Sequence, residues 1–145
     1  MKLNYEGLRD GAAWAKAGID LPPYDVEALA ARTKADPLWA HFGIGNIFRI
    51  FVGSIADRLL REGAMDRGIT CVETFDYEVV DRIYEPYDNL ALAVILNADG
   101  TIEKRVLGGL CEAVRANSAD GAAWARMRRI FTNPGLQLVT FTITE

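Results

Sequence analysis

Leu38-Trp39-Ala40-His41-Phe42-Gly43-Ile44-Gly45-Asn46-Ile47-Phe48-Arg49 reads as a short apolar strand entering a glycine-punctuated turn and then a helix. This is the geometry in which the N-terminus of a helix faces an anion. Gly43 can take the positive φ of a tight turn, and Gly45 has no Cβ to hold a phosphate away from the backbone. The first N–H groups of the helix, at its positive dipole end, then point at the charge. Phe48 stands where the dinucleotide fingerprint has its third glycine. A Gly-x-Gly pair alone also occurs in strand-to-helix turns that bind nothing.

The flanking sequence extends the pattern. Residues Asn46 to Glu62 contain no proline, and Ile47, Ile50, Phe51, Ile55, Leu59 and Leu60 recur at helical spacing, which predicts a helix with that face buried. Gly63 and Gly68 bracket a loop, and Ile69-Thr70-Cys71-Val72-Glu73 reads as a second buried strand ending in an acid. Strand, Gly-x-Gly, helix, strand and acid within about 30 residues form the dinucleotide-binding βαβ pattern. A carboxylate at the end of the second strand can accept both ribose hydroxyls of an adenosine. Glu73 is read as that ligand, with Asp76 nearby and suited to capping a helix from Tyr77 to Tyr84. The two acids oppose a 2′-phosphate, so NAD is expected over NADP, with Arg82 as the nearby cation that would reverse the preference.

Composition narrows the class. The 145 residues correspond to a single domain by length, half of them hydrophobic and a quarter charged, with net charge −4. That charge gives no reason to expect nucleic acid or an anionic membrane as partner. No apolar run approaches the ~20 residues of a membrane span, and Met1 to Gly7 lacks the apolar core of a secretion signal. A cytoplasmic protein is the expectation. One histidine and two distant cysteines, Cys71 and Cys111, give no metal cluster and no expected disulfide. His41 sits within the first strand and is read as a structural residue bonding a backbone carbonyl. No serine has a base partner, so triad chemistry has no visible components.

The rest of the chain sorts into pieces. Asp10-Gly11-Ala12-Ala13-Trp14-Ala15-Lys16 recurs closely as Asp120-Gly121-Ala122-Ala123-Trp124-Ala125-Arg126, which reads as two similarly capped helix starts, each tryptophan a packing anchor. Pro22-Pro23-Tyr24 precedes a short helix from Asp25 to about Lys34, and residues 1–37 are taken as a helical wrap around a nucleotide-binding domain spanning 38–145. Leu90–Leu96 and Thr101–Leu107 flank Asn97-Ala98-Asp99-Gly100, a hairpin signal. A helix follows from Asp120 to Phe131, and Asn133-Pro134-Gly135 stops it. Leu136 to Thr144 then reads as a long strand. Placed beside the first strand, it would bring Thr142, Thr144 and Glu145 to the crevice where a nicotinamide would sit. The fold class is therefore α/β, a Rossmann-like parallel sheet with flanking helices and an inserted β-hairpin. The strand at 136–144 would be an open edge without proline or lysine, prone to self-association.

The runs His41-Phe42-Gly43-Ile44-Gly45-Asn46-Ile47-Phe48-Arg49, Val72-Glu73-Thr74-Phe75-Asp76-Tyr77-Glu78 and Thr140-Phe141-Thr142-Ile143-Thr144-Glu145 resemble, in order, the N-terminal part of the mannitol dehydrogenase family, the polyol-specific long-chain dehydrogenases that include fructuronate and tagaturonate reductases. The resemblance implies that Phe48 at the third-glycine position is ordinary and that Arg49, otherwise a solvated helix charge, helps hold the pyrophosphate or the substrate. It implies NAD(H) as cofactor, bound by Gly43, Gly45, Asn46, Ile47, Phe48, Arg49, Glu73, Asp76 and Thr142, and a small sugar acid or polyol as substrate. The family's catalytic lysine, with its carbonyl-polarising asparagines and histidine, falls beyond Glu145, and His41 does not match that histidine. The stretch is thus expected to carry no catalytic residue and to be inactive alone, as a truncated or split gene product. A stand-alone binding module is the alternative.

Overall fold

The computed structural model describes residues 1–143; Thr144 and Glu145 lie outside the described residues. The glycine loop follows β1 (Trp39–Phe42), a four-residue strand whose two neighbours are both parallel to it. On one side lies β2 (Ile69–Glu73), in register from Trp39 opposite Ile69 to Phe42 opposite Val72. On the other lies β6 (Leu138–Phe141), from Trp39 opposite Leu138 to Phe42 opposite Phe141. The last member, β5 (Leu110–Arg115), flanks β2, so the sheet order is β5-β2-β1-β6. All four strands run the same way, which is the expected Rossmann-like sheet.

β5 has no counterpart among the sequence expectations. Its apolar run is interrupted by Glu112, whose charge is held by a two-pronged pair from Arg126: Nε to Oε1 at 2.8 Å and Nη2 to Oε2 at 2.7 Å. The guanidinium also donates to the Lys34 carbonyl at 2.9 Å. With its charge met in this way, the acid is compatible with a covered strand.

Side-chain alternation divides the sheet between two layers. Ala40, Val72 and Val114 face α5 (Gly121–Phe131), packing on Met127 and Ile130. Ile69 and Cys71 face the other way, onto Phe48, Ala56, Val80, Tyr84 and the base of the hairpin. That hairpin is the expected one: β3 (Ala91–Leu96) pairs antiparallel with β4 (Ile102–Leu107) as a separate two-stranded sheet. The N-terminal segment contains α1 (Tyr5–Leu8), α2 (Gly11–Lys16) and α3 (Val26–Ala35). It crosses the hairpin, with Trp14 buried against Leu90 and Val106 and with Asp20 N donating to the Lys104 carbonyl. Its hold on the next layer is a buried carboxylate, Asp57, which accepts from Tyr24 Oη at 2.5 Å and from Arg61 Nε at 2.6 Å.

The helix after the glycine loop departs from expectation in which face it buries. It begins at Asn46, runs as a π-helical turn over Phe48–Val52 and continues as α4 (Gly53–Arg61). The wider turn inserts an extra residue and shifts the register of everything before it. Phe48, Gly53, Ala56, Asp57 and Leu60 are buried, whereas Ile47 is 75% exposed and Phe51 67%. Ile47, Phe51 and Ile55 therefore form an outward apolar stripe, not the buried face that regular spacing predicts. A second π-helical turn covers Val80–Tyr84 and a 3-10 turn Glu85–Tyr87, in place of the simple helix expected from Tyr77 to Tyr84.

The last strand is shorter than the predicted stretch from Leu136 to Thr144, since ladder pairing ends at Phe141. Among the described residues β6 has a neighbour on one side only, and Leu138, Phe141 and Ile143 are exposed there. Of the two matching tryptophans, Trp14 is a buried anchor and Trp124 is exposed on α5, which corrects its reading as a packing residue.

Candidate functional site

The glycine loop lies at the carboxyl ends of β1, β2 and β6, where an open parallel sheet presents its crevice. Gly43 has φ +84, and its N–H donates to the Val72 carbonyl at 3.1 Å. A Cβ on Gly43 would run into the Thr142 carbonyl, so the glycine answers both a backbone angle and a close approach. Gly45 has open space where a Cβ would stand.

Three successive carbonyls at this turn are held from other elements. The Phe42 carbonyl accepts from Thr142 N at 2.9 Å, and the Gly43 carbonyl accepts from the Thr142 hydroxyl. The Ile44 carbonyl accepts from the buried Tyr84 Oη at 2.7 Å. In a planar trans peptide the N–H of the next residue points opposite to the carbonyl. Fixing the Ile44 carbonyl inward thus turns the N–H of Gly45 outward, where the exposed run Gly45–Ile47 begins, while Ile44 itself is buried. The helix that follows has no side-chain cap. Asn46 does not supply one, because its side-chain oxygen accepts from Arg49 Nη2 at 2.8 Å. Gly45 to Ile47 therefore present a row of backbone donors, the surroundings a phosphate needs.

The nine residues expected to hold a dinucleotide divide by placement. Gly43, Gly45, Asn46, Ile47 and Arg49 stand at the loop and the first helical turn. Phe48 does not present its ring there: it is fully buried and stacked on His41, with ring centroids 3.9 Å apart. Its side chain is core, and only its backbone belongs to the helix start. Thr142 reaches the site through its hydroxyl, already spent on the Gly43 carbonyl.

Glu73 closes β2 with its side chain folded onto the following loop. Oε1 accepts from the N–H groups of Thr74, Phe75 and Asp76 at 2.9, 3.0 and 3.4 Å, and the residue is only 7% exposed. These bonds close the loop before the next helix; Asp76, expected to cap that helix, stands exposed, and the helix has no side-chain cap. Only one carboxylate oxygen makes these bonds. Beside Glu73 in the sheet register is Arg115, a cation that sequence spacing did not reveal. It pairs with Asp81 and with Glu85, the latter at 3.2 Å, while Arg82 pairs with Glu78 at 2.9 Å. Both arginines near the loop are thereby engaged by carboxylates.

Under the loop, the His41 ring meets two threonine hydroxyls as well as the Gly43 backbone, the kind of partner expected for it. Its Nδ1 lies 2.7 Å from Thr140 Oγ1 and its Nε2 3.2 Å from Thr142 Oγ1. Trp39 Nε1 donates to the same Thr140 hydroxyl at 2.7 Å. Burial pushes the imidazole down to about 4, so it is neutral at neutral pH. Tyr84 and Thr140 were missed from sequence. The alternation Thr140-Phe141-Thr142, which puts two hydroxyls on one face of a strand beside His41, was the available signal for the second.

No protein-family model matches the chain. The chain is 47% identical over its whole length to D-mannonate oxidoreductase of Thermotoga maritima, of which it spans 27%. Among solved structures, D-sorbitol dehydrogenase in its substrate-free form is similar over 89% of the chain and 25% of its own, at 27% identity and a TM-score of 0.68. Mannitol 2-dehydrogenase of Pseudomonas fluorescens, in a ternary complex with NAD and D-mannitol, shares the fold over 99% of the chain and 27% of its own, with a TM-score of 0.75 at 24% identity. The chain thus spans about a quarter of the relatives it matches. Whole-chain identity and fold make the chain similar to the N-terminal quarter of these dehydrogenases.

Proposed function

We propose that this chain is the cofactor-binding part of an NAD-dependent oxidoreductase that interconverts a secondary alcohol and a ketone on a sugar acid of the mannonate–fructuronate type, or on a polyol of the mannitol–fructose type. The observation that carries the reading is the uncapped helix start at Gly45–Ile47 behind a glycine loop whose carbonyls are held inward. The backbone N–H groups of Gly45 to Ile47 would take the pyrophosphate, with Arg49 at its flank. The Glu73 oxygen not used in the loop would accept a ribose hydroxyl, and Thr142 would hold the loop against the sheet. NAD, when bound, would supply hydride exchange at the nicotinamide. The proton-exchanging lysine and the substrate-gripping groups would come from sequence beyond these residues, so the isolated chain would bind cofactor and not turn over. Sugar acid is preferred over polyol by the mannonate oxidoreductase relative. We place the protein in the cytoplasm. We also propose that a second copy covers the open β6 edge when the chain is isolated, because pairing would satisfy its backbone and bury Leu138 and Phe141.

Calorimetric titration of the 145-residue chain with NAD and NADP tests the assignment. NAD should bind and NADP should bind more weakly, and Glu73→Gln should narrow the difference. Equal or tighter binding of NADP would overturn it.

A further inference from the structure

The proton inventory of the groups beneath the glycine loop fixes a direction of donation. The Trp39 indole can only donate, so Thr140 Oγ1 accepts from it. At the other end the Gly43 carbonyl can only accept, so the single hydroxyl hydrogen of Thr142 goes there. Thr142 Oγ1 can then only accept from His41, which puts the imidazole hydrogen on Nε2. That leaves Nδ1 as a bare acceptor for the Thr140 hydroxyl. Trp39, Thr140, His41, Thr142 and Gly43 thus form one chain in which each group donates to the next. The ring itself is fixed between this chain and the face of Phe48.

The end of the chain is the peptide that matters. The Gly43 carbonyl belongs to the rigid peptide plane that leads into Ile44 and Gly45, so whatever holds that carbonyl fixes where the exposed helix start begins. We infer that His41 is a positioning residue for the dinucleotide: through Nε2–H it orients the Thr142 hydroxyl onto the Gly43 carbonyl and so holds the loop in the place from which the exposed donors of Gly45–Ile47 face the phosphates. This rests on the dinucleotide reading and deepens it. His41 touches neither ligand nor reacting atoms. It acts two bonds away, and its tautomer is set by Thr140.

The test uses the 145-residue chain. His41→Phe keeps a ring against Phe48 and removes both nitrogens. Thr142→Val removes the last hydroxyl, and Thr142→Ser returns it. NADH is titrated by fluorescence into the wild type and each variant, at matched folded fraction, and adenosine, which lacks the pyrophosphate, is titrated by calorimetry. His41→Phe and Thr142→Val should bind NADH about tenfold more weakly, the scale of one lost hydrogen bond. Thr142→Ser should bind as the wild type does, and adenosine should bind all four alike. Nitrogen-15 NMR of the wild type, which needs no variant to fold, should find Nε2 protonated and Nδ1 bare. An Nδ1–H tautomer overturns the inference, and so does a loss shared equally by NADH and adenosine. NADH binding that ignores His41 overturns it alone, whereas a wild type that binds no NADH overturns the dinucleotide reading and this one with it.

Discussion

The helix beginning at Asn46 and the helix α5 start with the same backbone donors and treat them oppositely. At α5, Asp120 accepts from the N–H groups of Ala122 and Ala123 at 3.0 and 3.1 Å. Asp10 does the same for α2 and Asp25 for α3, at 3.2 and 2.9 Å. At Asn46 the cap position is Gly45, which has no side chain to turn inward, and the next residue is engaged by Arg49. A missing cap costs about 1 kcal/mol of stability. The chain caps α2, α3 and α5 with an acid, yet leaves bare the start at the crevice of the sheet. A donor row already satisfied from within has nothing left for a ligand, so local stability and binding compete for the same groups.

Gly43 and Gly121 give the sharpest break in this comparison. Gly43 lies at φ +84 against the Thr142 carbonyl, while Gly121 opens α5 with free space around it. Gly43→Ala forces the loop off its carbonyl anchors, so NADH affinity should fall about 100-fold or more and stability by about 2–4 kcal/mol. Gly121→Ala should leave NADH binding alone and stabilise by about 0.4–1 kcal/mol. Fluorescence titration and urea midpoints measure both. Equal responses would show that the two starts do not differ as described.

Gly45→Asp converts the bare start into a copy of the capped one. Open space surrounds Gly45, so the side chain fits. The carboxylate would satisfy first-turn donors and raise stability by about 1 kcal/mol. It would also set a negative charge where the proposed pyrophosphate site lies and should lower NADH affinity about 100-fold. A variant both more stable and as tight a binder would break the link between free donors and binding.

The His41 network makes the uncapped end pH-sensitive. Its folded value of about 4 lies below the ordinary 6.5. Between these values the unfolded chain takes up a proton that the folded chain refuses, so this contribution is complete above pH 6.5 and is lost as pH falls toward 4. The loss should be about 1–3 kcal/mol. His41→Phe lacks it, and the wild-type-minus-variant difference in urea stability between pH 7 and pH 4.5 isolates it from the carboxylates. A difference independent of pH would remove His41 from the account.

How much of this could be read in the sequence follows from which forces are local. Gly43 and Gly45 were legible because backbone freedom belongs to the residue itself. The hairpin was legible from Asn97-Ala98-Asp99-Gly100 for the same reason. The buried face of the helix was not, because the π-helical turn at Phe48–Val52 shifts a register that regular spacing assumes constant. β5 was hidden by Glu112, whose neutralising partner Arg126 comes from another element. Glu73 and Asp76 were both visible as acids, but which one caps the loop depends on a side-chain rotation that spacing does not encode. The hold on the loop came from Tyr84 and Thr142, residues distant in sequence and joined to it only by the fold.

The smallest effect tests the comparison from its capped side. Asp120→Ala removes the acceptor for Ala122 and Ala123 and exposes those donors to water. α5 packs through Met127 and Ile130 on the face of the sheet opposite Phe48 and Tyr84. Its start is exposed, so the donors find water and the cost should stay near 1 kcal/mol. NADH affinity should not change, because none of the groups holding the Gly43 and Ile44 carbonyls comes from α5. Thermal melts and NADH titration of Asp120→Ala, run beside Gly45→Asp, would then move in opposite directions: one variant loses stability and keeps its ligand, the other gains stability and loses it. If Asp120→Ala weakened NADH binding as much as it lowered stability, the helix starts would be coupled through the sheet, and the bare end at Gly45 would owe its affinity to the stability of the whole fold and not to its own free donors.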